Sequence, residues 1–229
     1  MPAHPLPAAD LIETWVFDLD NTLYSADCAL FHQVDRRMGE YISTLFGLDY
    51  DAARKLQKDY YRTYGTTLRG LMVNHDIDPH AYLDFVHDID LTVMDPDIAL
   101  NAALTRLPGA KVIFTNASRG HAEAVTERLG IRHHFGGIFD IHDAAYIPKP
   151  APEIYDQFIK AHGITPKRTV LFEDTAANLA PAAARGMTTV LVRPGEAGVE
   201  NDASADHIHH VTNNLANWLD SLVPETGPE

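Results

Sequence analysis

A single cysteine, Cys28, in 229 residues leaves no intrachain disulfide to form, so the fold has to rest on a buried core, and a reducing compartment fits. Cys28 itself reads as a small buried hydrophobe rather than a nucleophile. No stretch approaches eighteen consecutive apolar residues, and the proline-rich start carries neither a basic opening nor a long apolar run. Those absences exclude a membrane-spanning helix and an export signal, and the expectation is a soluble, cytoplasmic protein with no membrane partner. Basic residues are also scarce: 18 Lys and Arg face 32 Asp and Glu, for a net charge of -14. With no basic face or lysine-rich arm, a nucleic-acid polymer is excluded as a partner, whereas a single small anion met by a local cation is not. Repeats and low-complexity segments are absent, and the stretch 223–229 reads as a disordered tail. What is present is 45% hydrophobic residues, enough for one substantial core and a smaller second unit, expected as a monomer.

The segment from Trp15 to Tyr24 closes a short apolar run with two carboxylates, Asp18 and Asp20. Side chains of an extended strand repeat every second residue, so both acids leave the same side of the backbone where the strand opens into a loop. Like charges so close need a cation between them or a shared proton, and both arrangements serve phosphoryl chemistry. The plain alternative is a strand followed by an Asx turn at Asn21 and Thr22.

Three further polar groups follow apolar runs of the same kind. Thr115 and Asn116 end the run from Lys111, ahead of a helical pattern that stops at Gly130. Lys149 stands between Pro148 and Pro150, whose rings stiffen the loop before the next helix. Glu173 and Asp174 end the run from Thr169. From residue 96 onward helices and strands alternate: helix 96–107, strand, helix 120–129, strand 137–140, helix 152–162, strand, helix 176–185, strand 188–192. This predicts an α/β fold with a doubly wound, mostly parallel sheet, whose ligands bind in the crevice outside the carboxyl ends of the strands. Four such ends then bring together two acids, a hydroxyl, a lysine and two more acids.

In that order and at those positions, Asp18-Leu19-Asp20-Asn21-Thr22, Thr115, Lys149 and Glu173-Asp174 resemble the four motifs of the haloacid dehalogenase superfamily, in its magnesium-dependent phosphatase branch. The resemblance runs from about Thr14 to Pro194. Motif one with Leu23 and Tyr24, the stretch from Tyr64 to Leu71, Phe114 to Ala117, and Lys149 to Tyr155 are similar to the pyrimidine 5'-nucleotidase subfamily. Motif four reads Glu-Asp where many members have Asp-Asp.

The resemblance implies a hydrolase of nucleoside 5'-monophosphates, with Asp18 as nucleophile forming an aspartyl-phosphate and Asp20 as acid and then base. Lys149, the Thr115 hydroxyl and the Asn116 backbone N–H would hold the phosphoryl oxygens. Mg2+, with Mn2+ as a substitute, would be held by Asp18, the Asp20 carbonyl and Asp174, with Glu173 orienting a bound water. Segments 1–24 and 96–222 together would form the discontinuous core domain.

Residues 25–95 interrupt the α/β alternation with helical patterns only and are expected to form a cap domain over the site. Leu30, Phe31, Val34, Met38, Tyr41, Ile42 and Leu45 share one helical face before Gly47, and a second helix spans 51–64 before Gly65. Contacts to the leaving group are expected from Tyr64, Thr66, Thr67 and Arg69. Core packing is the competing reading for Tyr60, Tyr61 and Tyr64, and an exposed surface position for Arg69. Lys55 and Lys58 lie on a polar face as solvated charges, which speaks against a Schiff-base phosphonate hydrolase. A dehalogenase would leave Asp20 and the Glu173-Asp174 pair without a task. A phosphatase for phosphoglycolate or a sugar phosphate, a mutase, and a non-catalytic phosphate-binding module are the remaining alternatives. His133-His134 and His207 to His210 bring zinc to mind, but neither cluster has a cysteine or carboxylate at ligand spacing.

Overall fold

A computed structural model describes residues 8–193 and 205–223, so the tail expected at 223–229 lies outside the described residues apart from Val223. The strands β1 (Thr14–Phe17), β2 (Ala110–Phe114), β3 (Gly137–Phe139), β4 (Thr169–Glu173), β5 (Thr188–Val192) and β6 (His210–Thr212) form one sheet. Their order is β3-β2-β1-β4-β5-β6, and every pairing is parallel. The strand order runs outward from β1 to β3 on one side and from β4 to β6 on the other, so the topological switch lies between β1 and β4, where open α/β sheets leave a crevice at the strand ends.

Both faces of this sheet are covered, which is why its strands read as continuous apolar runs rather than as alternating ones. Trp15, Phe17, Ile113, Phe172 and Val190 join a cluster with helices α5 (Ile98–Arg106), α6 (Arg119–Arg128) and α9 (Leu215–Leu222). Val16, Val112, Phe114, Leu171 and Leu191 face the other way, toward α7 (Pro152–His162) and α8 (Ala176–Ala184). Phe17 lies parallel to Phe172 at 4.8 Å between centroids, so the two central strands are also locked through their rings. Register then sets the site: Phe17 is level with Ile113 on one side and Phe172 on the other. Asp18, Thr115 and Glu173 therefore leave the sheet within two residues of one another along its carboxyl edge.

Between β1 and α5 the chain forms α1 (Leu30–Phe46), α2 (Tyr50–Tyr64), α3 (Thr67–His75) and α4 (Pro79–His87) around their own apolar cluster. Their ends are chemically marked. Asp49, Thr66 and Asp78 each accept a hydrogen bond from a first-turn N–H, and Gly47 and Gly65 end α1 and α2 at positive φ. Two elements have no counterpart in the sequence reading. β6 has only three residues at the sheet's edge and no apolar run, whereas α9 does carry Leu215, Leu219 and Leu222 at helical spacing behind the N-cap Asn214.

Gly70 packs α3 on α2 so closely that an added Cβ would fall 2.5 Å from Tyr60 Cβ and Cγ. Better helix propensity gives Gly70→Ala about 1 kcal/mol, against about 1–3 kcal/mol for overpacking. A net loss of stability is expected, read by chemical denaturation, with hydrogen exchange accelerated first in α2 and α3.

Candidate active site

The site is built around a buried ammonium. Lys149 Nζ donates to Asp18 Oδ1 at 2.7 Å, to Glu173 Oε2 at 2.6 Å and to the Phe114 carbonyl at 2.8 Å. The loop that presents it is clamped by Asn116, whose side chain accepts from the Lys149 N–H at 2.8 Å and donates to the Lys149 carbonyl at 3.4 Å. Burial opposes the charge on Lys149, but Asp18 and Glu173 outweigh it and hold the ammonium protonated. One ammonium cannot neutralise two buried acids. Burial, then Glu173, pushes Asp18 up to about 7, and burial likewise pushes Glu173 up to about 7 despite Lys149. Thr115 is buried beside them, its Oγ1 accepting from the Ala117 N–H at 3.0 Å.

Asp20 lives in a different environment. Its Oδ1 accepts from the Tyr24 hydroxyl at 2.5 Å and lies 3.1 Å from His121 Nε2. Burial raises its carboxyl, but the His121 imidazole and the hydrogen bonds from His121 and Tyr24 prevail and hold it below the usual range. Asn21, at a φ of 60° that asparagine tolerates, reaches across to Asp174 Oδ2 at 3.4 Å. The motif-one loop thus touches both the histidine and the motif-four acid.

Carboxylate oxygens of Asp18, Glu173 and Asp174 lie within 4.8 Å of one another, the one such group of three or more ligand donors among the described residues. An all-oxygen set of this kind suits a hard divalent cation. Asp174 is itself raised, by burial and then by Asp18, so the three acids are short of positive charge even with Lys149 present. Glu173 is committed on both sides, to Lys149 and to the Thr175 N–H at 3.2 Å. Asp18 is engaged through Oδ1 alone, and Asp174 accepts only longer bonds, from the Thr175 hydroxyl at 3.2 Å and from Asn21 at 3.4 Å. The Asp20 carboxylate points to Tyr24 and His121, so any share it has in a cation falls to its carbonyl.

A cleft of about 540 Å³ opens between this edge and the helices α1–α4. Asp20, Asn116, Lys149 and Asp174 line its floor; Phe31, Val34, Met38, Leu68, Tyr82, Leu83 and Val86 line its far side. Gly65 brings the two together, since a Cβ there would meet Pro148 Cγ at 3.3 Å. Of the cap residues expected at the leaving group, Thr66 and Thr67 line the cleft and Tyr64 and Arg69 are not among its lining residues. Tyr64 rests against Tyr60 and donates to Asn74 at 3.3 Å, while Tyr61 and Lys58 do line the cleft. His121 and His87 escaped the sequence reading, and Tyr24 entered it only as part of motif one, without a role. Tyr24 sits four residues beyond Asp20 within motif one, and His121 three beyond the helix N-cap Ser118, but no spacing links His87 to either.

The family model for a haloacid dehalogenase-like hydrolase matches residues 12–186. "Phosphate metabolism protein 8" of Saccharomyces cerevisiae is 28% identical over 213 residues, 85% of this chain. The chain spans 66% of that protein's length, just under two thirds. "Fructose-1-phosphate phosphatase YqaB" of Escherichia coli is 26% identical over 186 residues, covering 78% of this chain and 95% of that one. Among solved structures, CbbY from Rhodobacter sphaeroides in complex with phosphate superposes with a TM-score of 0.63 at 21% identity, over 90% of this chain and 96% of that one. The L-2-haloacid dehalogenase of Xanthobacter autotrophicus with chloropropionic acid covalently bound gives 0.60 at 14% identity, over 94% and 100%. At such identities the structures speak for the fold alone.

A carboxyl that titrates at about 7 when folded and near 3.8 as a free side chain takes up a proton on folding between those values, so its contribution falls as pH rises through that window. In EDTA, Asp18→Asn is therefore expected to gain stability relative to wild type as pH rises from about 4 to about 7, with no further gain above that range. Urea denaturation across that series checks the sign.

Proposed function

The chain belongs to the haloacid dehalogenase-like hydrolase family, and from that premise we propose a magnesium-dependent phosphatase that hydrolyses nucleoside 5'-monophosphates, pyrimidine nucleotides by preference. The observation that carries the phosphatase reading is the division of labour between two acids on one loop. Asp18 is held by the Lys149 ammonium and Asp20 by Tyr24 and His121. The two carboxylates have separate partners, and their tasks as nucleophile and as acid follow from their places in motif one, with a bound cation and an incoming phosphoryl group reversing the order of their acidities in the loaded site.

An Asp18 oxygen attacks phosphorus as the bond to the leaving oxygen breaks, giving an aspartyl-phosphate and an alcohol that takes its proton from Asp20. Asp20 is ionised in the free site, the form that later draws a proton from the attacking water. The negative charge of an incoming phosphoryl group raises it toward its acid form for the first step. Lys149 offsets charge on Asp18 and on the phosphoryl oxygens, and the Thr115 hydroxyl and the Asn116 N–H are the neutral donors on the same edge. Asp18 and Asp174, with the Asp20 carbonyl, would hold the cation, magnesium or manganese, which supplies positive charge that keeps Asp18 ionised and screens it from the substrate dianion.

The preference for a nucleoside rests on the far wall of the cleft, where Phe31, Val34, Leu68, Leu83 and Val86 form an apolar part beside the polar Asp35, Gln57, Lys58 and Arg62. A flat base can lay its face on the apolar part and turn its polar edge to the side chains beside it. Tyr82 lines the cleft, is 1% exposed and its hydroxyl has no hydrogen-bond partner among the described residues. A buried hydroxyl without a partner is costly unless a ligand supplies one. The name of the Escherichia coli relative favours a second reading, a sugar-phosphate phosphatase.

Phosphate release from 5'-mononucleotides, phosphoglycolate and sugar phosphates separates the two. Selective release from UMP or CMP, lost in EDTA, restored by magnesium and abolished by Asp18→Asn, is expected; a best rate on a sugar phosphate would replace the nucleotide reading. Tyr82→Phe is expected to raise KM for the nucleotide about 2- to 12-fold, the range of one neutral hydrogen bond, with little change in kcat.

A further inference from the structure

His121 and His87 come from different parts of the chain and meet beside the acid of motif one. His121 lies in the first turn of α6, its side chain 2% exposed, with Nε2 3.1 Å from Asp20 Oδ1. His87 is the last residue of α4, in the helical insertion, and its ring stacks on that of His121 at 4.2 Å and 15°. The stack is pinned from a third direction: Ser118, which caps α6, places Oγ 2.9 Å from His87 Nδ1. One short path therefore runs from the insertion, through His87 and His121, to the carboxylate that exchanges protons with the leaving group and with water.

We propose that His121 is a positioning residue for Asp20, and that His87 of the insertion holds His121 in place, so that seating the insertion over the cleft sets the acid's orientation. A carboxylate has two oxygens and a soft terminal torsion. Tyr24 and His121 both engage Oδ1, which fixes the plane of the group and turns Oδ2 away from them. Burial alone also explains a histidine pair, but it does not explain why the pair ends on the acid rather than on a backbone carbonyl. The burial of His87 depresses its imidazole to about 3, with repulsion from His121 adding to this, so its ring is neutral, which a face-to-face stack on a second imidazole favours. The inference rests on the phosphatase reading but not on the nucleotide preference.

The test exploits leaving groups. An alkyl phosphate needs a proton on its departing oxygen, and 4-nitrophenyl phosphate does not, so loss of acid positioning should fall on the first. His121→Ala is expected to lower kcat/KM for a simple alkyl phosphate by about 10- to 100-fold, part of the 100- to 10,000-fold that a placed proton carrier contributes. The loss on 4-nitrophenyl phosphate should be several-fold smaller, and His121→Gln, which keeps a donor near the Nε2 position, should recover part of the difference. His87→Phe keeps an aromatic ring against His121 and should retain more of the alkyl activity than His87→Ala, a half-buried change that serves if His121→Ala does not fold. Equal losses on both esters, or no loss in folded variants of either histidine, would overturn the proposal. A wild type that releases phosphate from no ester, nucleotides included, removes the phosphatase reading and the proposal with it; a wild type that acts on nucleotides alone moves the comparison to UMP against a nucleotide aryl ester; and one that prefers a sugar phosphate removes only the nucleotide preference.

Discussion

Lys149 Nζ lies within 2.8 Å of an oxygen from each of three adjacent strands or strand ends: Asp18 after β1, Phe114 of β2 and Glu173 of β4. The ammonium comes from outside the sheet, on a loop that Asn116 clamps. Its position therefore depends on the register of β1 with both neighbours, and in turn it holds the carboxyl edge of those strands together. Taking a charge of each sign out of water costs several kcal/mol per ion, and here two acids are buried for one base. Such an arrangement is weak evidence for stability. It is what a site needs if a further positive charge completes it during the reaction.

That excess of negative charge explains why the two motif-one acids differ so sharply although only Leu19 separates them. Asp18 shares Lys149 with Glu173 and is raised by burial; Asp20 has His121 and Tyr24 to itself and is lowered. Both acids stand at the carboxyl edge of the sheet, and there Asp18 meets Lys149 while Asp20 meets Tyr24 and His121. Strand geometry alone gives proximity, and the flanking helices supply the difference in chemistry.

How much of this was legible in the sequence follows from the range over which each signal acts. The five strands that carry apolar runs, the helices that alternate with them and the order of Asp18, Thr115, Lys149 and Glu173-Asp174 are local patterns, and a parallel sheet brings its carboxyl ends together without further information. Caps were equally local, as at Gly47 and Gly65. β6 was invisible because an edge strand of three residues has no room for a period, and α9 shows that a short helix with a clear apolar spacing is easily passed over among polar neighbours. Glu173 reads from sequence as a group near a metal, yet its first partner is Lys149, a contact 24 residues away in the chain.

The partners of Asp20 were illegible for a deeper reason. His87 and His121 are 34 positions apart and belong to helices whose own patterns concern packing, so their meeting is a property of how α4 settles on α6. A family of hydrolases can keep one sheet edge and change its leaving groups by changing what covers that edge, because the chemistry at phosphorus is common and the chemistry of departure is not. A covering unit that only excluded water would need shape complementarity and nothing more. Here α4 contributes Tyr82, Leu83 and Val86 to the wall and His87 to the neighbourhood of the acid, all on one helical face. On the proposed phosphatase reading, the wall that would meet the departing group and the histidine that stacks beside the acid's partner are mounted on the same nine-residue helix, so a sequence change that retunes one is expected to disturb the other.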